Sequence, residues 1–151
     1  MLLKTHIAAN ILFALIFSGQ FSNKIAFVSI VILATMLPDI DTLHSFIGRK
    51  YRIFAKIAFF LSKHRGFFHS FTCSFILSAI LFAFSPFVSM AFFAGYSMHI
   101  LLDSFTVQGV EPFWPVKYKV KGRITTGGIT EKIIFSVLVL LDIAWIAAYL
   151  F

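Results

Sequence analysis

Long apolar runs alternate with shorter polar intervals along this chain of 151 residues. The pattern predicts five helical apolar segments, at about 1–22, 24–37, 67–84, 87–102 and 131–151. The third and fourth are joined by Ser85-Pro86, which predicts a tight turn. No small-x-small cleavage site follows the first segment, so we expect an uncleaved helix rather than a signal peptide.

Two polar intervals, 42–63 and 103–130, separate these segments. In the first, Arg52 and Lys56 would lie one helical turn apart, with apolar side chains on the other sides. This pattern predicts a basic amphipathic helix in the plane of the membrane surface. The second interval is rich in proline and glycine, which predicts a loop.

The composition supports a membrane protein with a single domain over residues 1–151. Sixty per cent of the residues are hydrophobic and only 13 per cent are charged, whereas about a quarter are charged in soluble domains. The mean hydropathy is +0.94. The predicted fold class is therefore all-α, a polytopic helical membrane protein. The one cysteine, Cys73, excludes an intrachain disulfide and a cysteine zinc motif.

The net charge of +7 is concentrated in two clusters, at 49–65 and 117–123. Basic clusters bind nucleic acid in some proteins, but in a membrane protein the positive-inside bias favours the lipid bilayer as the partner. With five alternating segments, both clusters fall on the side of the N-terminus. We therefore expect a membrane protein whose N-terminus is cytoplasmic.

Seven candidate metal ligands lie at ends of the apolar segments. They are His6, Asp39, Asp41, His64, His69, His99 and Asp103. The alternating topology places all seven on the cytoplasmic side. The basic residues that set the predicted orientation are not among these seven. The common location of the seven candidates is therefore independent of the residues used to predict the orientation. The sequence thus predicts a metal site at the cytoplasmic interface.

The local spacings are compatible with such a site, although each has a simpler interpretation. His99 and Asp103 are four residues apart, which places both on one face of a helix, but a polar helix end would look the same. Asp39 and Asp41 could point toward one ion, or Asp39 could simply end a helix.

His64 and His69 could both point inward if His64 belongs to a loop. Between them, Arg65 offers a planar donor fork for phosphate or carboxylate, although an interface arginine is an equal alternative. His44 has no partner pattern. Asp142, inside the last apolar segment, is interpreted as a polar group in helix packing.

Imidazole nitrogen and carboxylate oxygen together suit zinc, manganese or iron, with zinc expected. Catalytic zinc commonly has three protein ligands and one open position. Seven ligands are enough for two ions, an arrangement that favours phosphoester hydrolysis. The sequence contains no P-loop and no serine or cysteine nucleophile pattern.

Several short motifs together resemble the YdjM-like family of bacterial inner-membrane proteins, described as metal-dependent hydrolases. In chain order they are Thr5-His6, Leu37-Pro38-Asp39-Ile40-Asp41, His64-Arg65-Gly66 with His69-Ser70, Gly95-Tyr96 leading to His99 and Leu102-Asp103, and Gly109-Val110 followed by Phe113-Trp114-Pro115. Phe68 departs from the pattern, since the family usually has threonine before the second histidine of the third motif. The family is distantly similar to zinc-dependent phospholipases C, which implies phosphoester or phospholipid chemistry.

Our hypothesis is a membrane-bound hydrolase in which metal-activated water attacks an ester. Asp41 would be a ligand or the general base, and Arg65 would hold an anionic substrate. The main alternative is a non-catalytic protein with a structural His/Asp metal site or an adaptor role. Transport is a weaker alternative, because it favours acids near the bilayer midplane and these lie at segment ends.

Overall fold

The computed structural model describes residues 1–41 and 66–150. Within these ranges the protein is built from five α-helices. They are α1 (Leu3–Ser18), α2 (Lys24–Met36), α3 (Phe71–Phe82), α4 (Pro86–Ser104) and α5 (Ile129–Leu150). Short 3-10 turns, Pro38–Asp41 and Phe67–His69, follow α2 and precede α3. The all-α prediction is confirmed, and the amphipathic helix predicted within 42–63 lies outside the described residues.

No helix among the described residues is both long enough and apolar enough to cross a membrane. For example, α2 has 13 residues and α3 has 12. At 1.5 Å per residue they are about 20 Å long, shorter than the hydrocarbon core of about 30 Å. The polytopic arrangement therefore stays a prediction.

Polar side chains define where three of the helices begin. Asn23 accepts a hydrogen bond from the backbone N–H of Ala26 at the start of α2. Ser70 and Ser85 do the same for the first turns of α3 and α4, and Pro86 occupies the first turn of α4. Capping by Asn and Ser and an early proline are typical helix starts. The predicted break between the third and fourth segments is thus confirmed, with the turn at residues 83–84 and Pro86 already in α4.

The central helix is α4, which packs against α2 and α3, while α1 packs against α2 and α5. Tyr96 and Ile100 of α4 are fully buried in the main apolar core, together with Cys73 of α3. Where α4 crosses α2, a Cβ atom on Gly95 would lie 2.3 Å from the carbonyl oxygen of Val31. Only glycine allows this approach, which brings the last turns of both helices together.

Candidate metal centre

Five of the seven predicted ligands meet at one end of the helix bundle. His6 comes from the first turns of α1, and Asp39 from the 3-10 turn after α2. His69 comes from the 3-10 turn before α3, and His99 and Asp103 from the last turns of α4. The starts of some helices and the ends of others therefore meet at this end of the bundle, as expected when successive helices run in opposite directions.

The two carboxylates lie among the three imidazole rings. The Nε2 atom of His6 is 3.2 Å from Oδ1 of Asp103, and the Nε2 atoms of His69 and His99 are each 3.9 Å from Oδ2 of the same carboxylate. Asp39 Oδ1 lies 3.6 Å from His69 Nε2 and 3.9 Å from His99 Nε2. The ammonium group of Met1 also contacts Asp103 Oδ1.

These distances define two overlapping sets of three ligands, and His99 belongs to both. One set is His6, His99 and Asp103, and the other is Asp39, His69 and His99. Within each set, one donor atom from each residue lies within 4.8 Å of the others. The cluster is therefore dense enough for either set to hold a metal ion at Nε2 of His99.

The protonation of His99 is decided by a backbone carbonyl. His99 Nδ1 lies 2.8 Å from the carbonyl oxygen of Thr35. A carbonyl only accepts hydrogen bonds, so Nδ1 carries the hydrogen and a neutral ring presents a lone pair at Nε2. That Nε2 atom is buried and has no hydrogen-bond partner among the described residues.

A metal ion fits this cluster on electrostatic grounds. The lone pair of His99 Nε2 lies 3.9 Å from oxygen atoms of Asp39 and Asp103. The buried Nε2 atom of His99 has no hydrogen-bond partner among the described residues, which is unfavourable. An ion between it and the carboxylates would provide one, and a histidine that donates its other N–H to a carbonyl is the usual metal-ligating form.

His6 is held parallel to His99 by direct ring stacking. Their ring centroids are 3.8 Å apart and their planes differ by 7°. Both side chains are fully buried, so the rings restrict each other's rotation. Two imidazoles are thereby presented to the same acidic groups in a fixed orientation.

Asp39 is the most accessible member of the cluster. Its side chain is 19% exposed, whereas those of His69, His99 and Asp103 are 1% exposed or less. Burial alone would raise the pKa of Asp39, but its interaction with His69, whose Nε2 lies 3.6 Å from Oδ1, lowers that pKa to about 2. Asp39 is therefore ionised at neutral pH and lies on the side from which a ligand can enter.

The remaining predicted groups are not described at the level of their side chains. Asp41 ends the same 3-10 turn as Asp39, but its side chain is outside the described part of the protein. His64 and Arg65 lie outside the described residues altogether.

Sequence reasoning missed Glu131, which supports the cluster indirectly. Its Oε1 accepts hydrogen bonds from Leu2 N at 2.6 Å and from Thr5 Oγ1 at 2.8 Å. Its Oε2 accepts one from Gly127 N at 2.5 Å. Glu131 is 1% exposed, and Thr5 directly precedes His6. The signal for Glu131 in the sequence was the presence of an acidic residue at the start of the last apolar segment.

The structure therefore defines an all-helical protein with a buried His/Asp cluster at the junction of four segments. The family model described as YdjM inner membrane protein matches residues 1–151, so the chain belongs to the YdjM family. This agrees with the resemblance carried by its motifs.

Two curated relatives illustrate how far the similarity extends. The uncharacterized protein YvsG of Bacillus subtilis is 29% identical over 112 residues, which cover 72% of this chain and 70% of YvsG. The inner membrane protein YdjM of Escherichia coli is 35% identical over 95 residues, which cover 58% of this chain and 48% of that protein. The aligned part thus spans about half the length of the Escherichia coli relative. No solved structure matches the chain.

Proposed function

We propose that this protein is a metal-dependent hydrolase of the bacterial inner membrane. The proposed substrate is an ester of the phosphoester or phospholipid class. The observation that carries the proposal is the buried Nε2 lone pair of His99, directed at two carboxylates. The name of the Escherichia coli relative supports the location. The protein would be multi-pass, with a cytoplasmic N-terminus and the cluster at the cytoplasmic interface.

The described donors fit a single ion well. Two ligand atoms at about 2.1 Å from a tetrahedral ion are about 3.4 Å apart. The nitrogen–oxygen separations in the cluster are 3.2 to 3.9 Å. The ligands would be those of one set, either His6, His99 and Asp103 or Asp39, His69 and His99, which leaves a tetrahedral ion one open position. Zinc is the expected ion, and manganese or iron suits the same donors.

The tautomer of His99 limits how many ions the described residues can hold. Both ligand sets use His99, but its Nδ1 is occupied by the Thr35 carbonyl. Only the single lone pair on Nε2 is available, so His99 binds one ion at a time. A second ion would require a bridging carboxylate together with Asp41 or His64.

A bound divalent ion would supply Lewis acidity and an activated water for ester hydrolysis. Asp39 would define the open side of the site, because it alone among the five donors is substantially exposed. Asp41, two residues further along, would be a ligand or take the proton from the water. Arg65 would hold the anionic substrate with its guanidinium group.

The deciding experiment measures the metal content and hydrolysis of the purified protein together. The wild type should bind a divalent ion and hydrolyse a member of a phosphoester panel, and His99→Ala and Asp103→Asn should lose both. Asp142→Asn is the matched control, since Asp142 is a buried acid of α5 that belongs to neither ligand set. A wild type free of metal under non-chelating conditions would refute the proposal.

A structural metal site is the second candidate function. The observation that favours it is the burial of four of the five donors, because structural sites are closed whereas catalytic sites keep an open position. Metal retained by the wild type, lost in His99→Ala and accompanied by no hydrolysis of any panel member would favour this alternative.

A further inference from the structure

The loop between α4 and α5 is anchored beside the metal cluster. The backbone N–H of Phe71 donates to the carbonyl of Pro112 at 2.8 Å, and Thr72 Oγ1 donates to that of Trp114 at 2.6 Å. The Trp114 ring also contacts the ring of Phe67, with centroids 5.1 Å apart. Since Phe67 and Phe71 flank His69, this loop lies at the same end of the bundle as the cluster.

A segment of this loop, residues 119–124, is held rigidly against the end of α4. Val120 exchanges two backbone hydrogen bonds with Val110, of 2.9 and 3.0 Å. Gly122 N and Ile124 N donate to the carbonyls of Thr106 and Phe105, at 2.9 and 3.0 Å. A Cβ atom on Gly122 would lie 2.0 Å from the Phe105 oxygen, so the backbone lies in close contact with the helix end.

The segment presents its cations on one side. Lys119, Lys121 and Arg123 are exposed, whereas the intervening Val120 and Gly122 are partly buried. This alternation of exposed and partly buried residues places the three cations on the outer face of the loop. We call these three side chains the cation row. Glu111 is the one acid in the sequence from 105 to 128, so the charge of the row is not balanced locally.

Large apolar side chains of the same loop are also exposed. The exposed fractions of Trp114 and Tyr118 are 40% and 63%, and those of Val107 and Val116 are 53% and 60%. Aromatic side chains near cations are typical of the boundary between lipid and water. Exposed valines favour a bilayer over nucleic acid, because aliphatic side chains add little to contacts with phosphates and bases.

We propose that the loop between α4 and α5 docks on anionic phospholipid headgroups, whose phosphates bind the cation row. The rigid backbone holds the three charges at a fixed spacing before lipid binds, which favours binding. Headgroup recognition would then take place next to the His/Asp cluster. This proposal does not depend on a metal ion or on hydrolysis.

The test is a binding titration of the full-length protein in a neutral detergent. Short-chain phosphatidylglycerol and phosphatidylcholine are the two probes, and calorimetry measures their dissociation constants. Phosphatidylglycerol should bind about tenfold more tightly or better, because each surface cation contributes substantially to the attraction of anionic lipid. The triple variant Lys119→Gln/Lys121→Gln/Arg123→Gln should lose this preference.

The triple variant Lys4→Gln/Lys24→Gln/Lys132→Gln is the matched control, because it removes three exposed charges elsewhere and should keep the preference. His99→Ala should also keep it, which separates this proposal from the hydrolase. Equal affinity for the two lipids, or an equal loss in the control variant, would overturn the proposal. Tighter binding of a DNA oligonucleotide than of phosphatidylglycerol would do so as well.

Discussion

His99 shows how a single backbone contact selects the chemistry of an imidazole. The Thr35 carbonyl keeps the hydrogen on Nδ1, and the stacked ring of His6 keeps the plane of His99 in place. The Nε2 lone pair is then directed toward Asp39 and Asp103 rather than rotating among several partners. This preorganisation reduces the conformational entropy that metal binding would otherwise lose.

Glu131 is a positioning residue for His6, because it binds Leu2 and Thr5 in the first turn of α1. Glu131→Gln replaces one acceptor oxygen by an NH2 group, which would face N–H donors. We expect zinc affinity to fall about tenfold, as for other groups that support a ligand. The effect should disappear in a His6→Ala background. Competition with a chromophoric chelator measures all four affinities.

Asp142→Asn is the control for this comparison of zinc affinities. Asp142 is a buried acid of the same helix, α5, and it does not belong to the cluster. Its substitution should leave zinc affinity unchanged. An equal loss of affinity caused by Glu131→Gln with and without His6 would show that Glu131 does not act through His6.

At the scale of elements, the crossing of α2 and α4 at Gly95 controls the geometry of the cluster. Thr35 lies one turn after Val31 on α2, and His99 lies one turn after Gly95 on α4. The hydrogen bond between Thr35 and His99 therefore depends on the close approach at Gly95. A change at the crossing would be transmitted over one helical turn to the site.

Gly95→Ala should destabilise the fold and weaken the site together. Its Cβ would lie 2.3 Å from the Val31 oxygen, so the helices must separate, with a loss of about 2 kcal/mol or more in the free energy of unfolding. Thermal unfolding in detergent measures the stability, and zinc titration measures the site.

Gly19→Ala is the matched control, since a Cβ there has no atom within 4 Å. It should change neither quantity. A Gly95→Ala protein with wild-type stability and zinc affinity would show that the two helices do not cross as closely as described.

For the whole molecule, the cluster joins segments that are distant along the chain. His6, His69 and His99 belong to three separate parts of the fold, and an ion bound by His99 together with His6 or His69 would cross-link at least two of them. Since the unfolded chain lacks the site, ligand binding adds to stability by mass action. Zinc at about 100 times its dissociation constant should add about 2.7 kcal/mol.

The melting temperature should therefore rise with zinc and fall with a chelator. His99→Ala should abolish this dependence, whereas Asp142→Asn should retain it. Differential scanning calorimetry provides the measurement. A wild-type melting temperature that is independent of zinc and chelator would contradict a metal site shared by distant segments.

The predicted membrane orientation is tested by reporters fused to the two ends of the chain. Five crossings with a cytoplasmic N-terminus place the C-terminus on the opposite face. A periplasmic reporter should be active after residue 151 and inactive before residue 1. A cytoplasmic C-terminus would contradict the five-crossing topology.

The pattern of residues was sufficient to predict the helices and the general position of the cluster. Apolar runs ended by local signals, such as Pro38 and the Ser85-Pro86 turn, correspond to helices because those signals act over a few residues. Alternation of the segments then places every second helix end on the same side. For that reason His6, Asp39, His69, His99 and Asp103 could be grouped before any coordinates were known.

The sequence did not show which partners orient these groups. The group that orients His99 is the backbone carbonyl of Thr35. Because every residue has a backbone carbonyl, the sequence does not show which of them would reach His99. Likewise, Glu131 reaches Thr5 across 126 positions of the chain, and Gly122 is required only because Phe105 lies against it. Such contacts depend on how the helices cross and how the loops return, and these are set by packing over the whole fold rather than by local pattern.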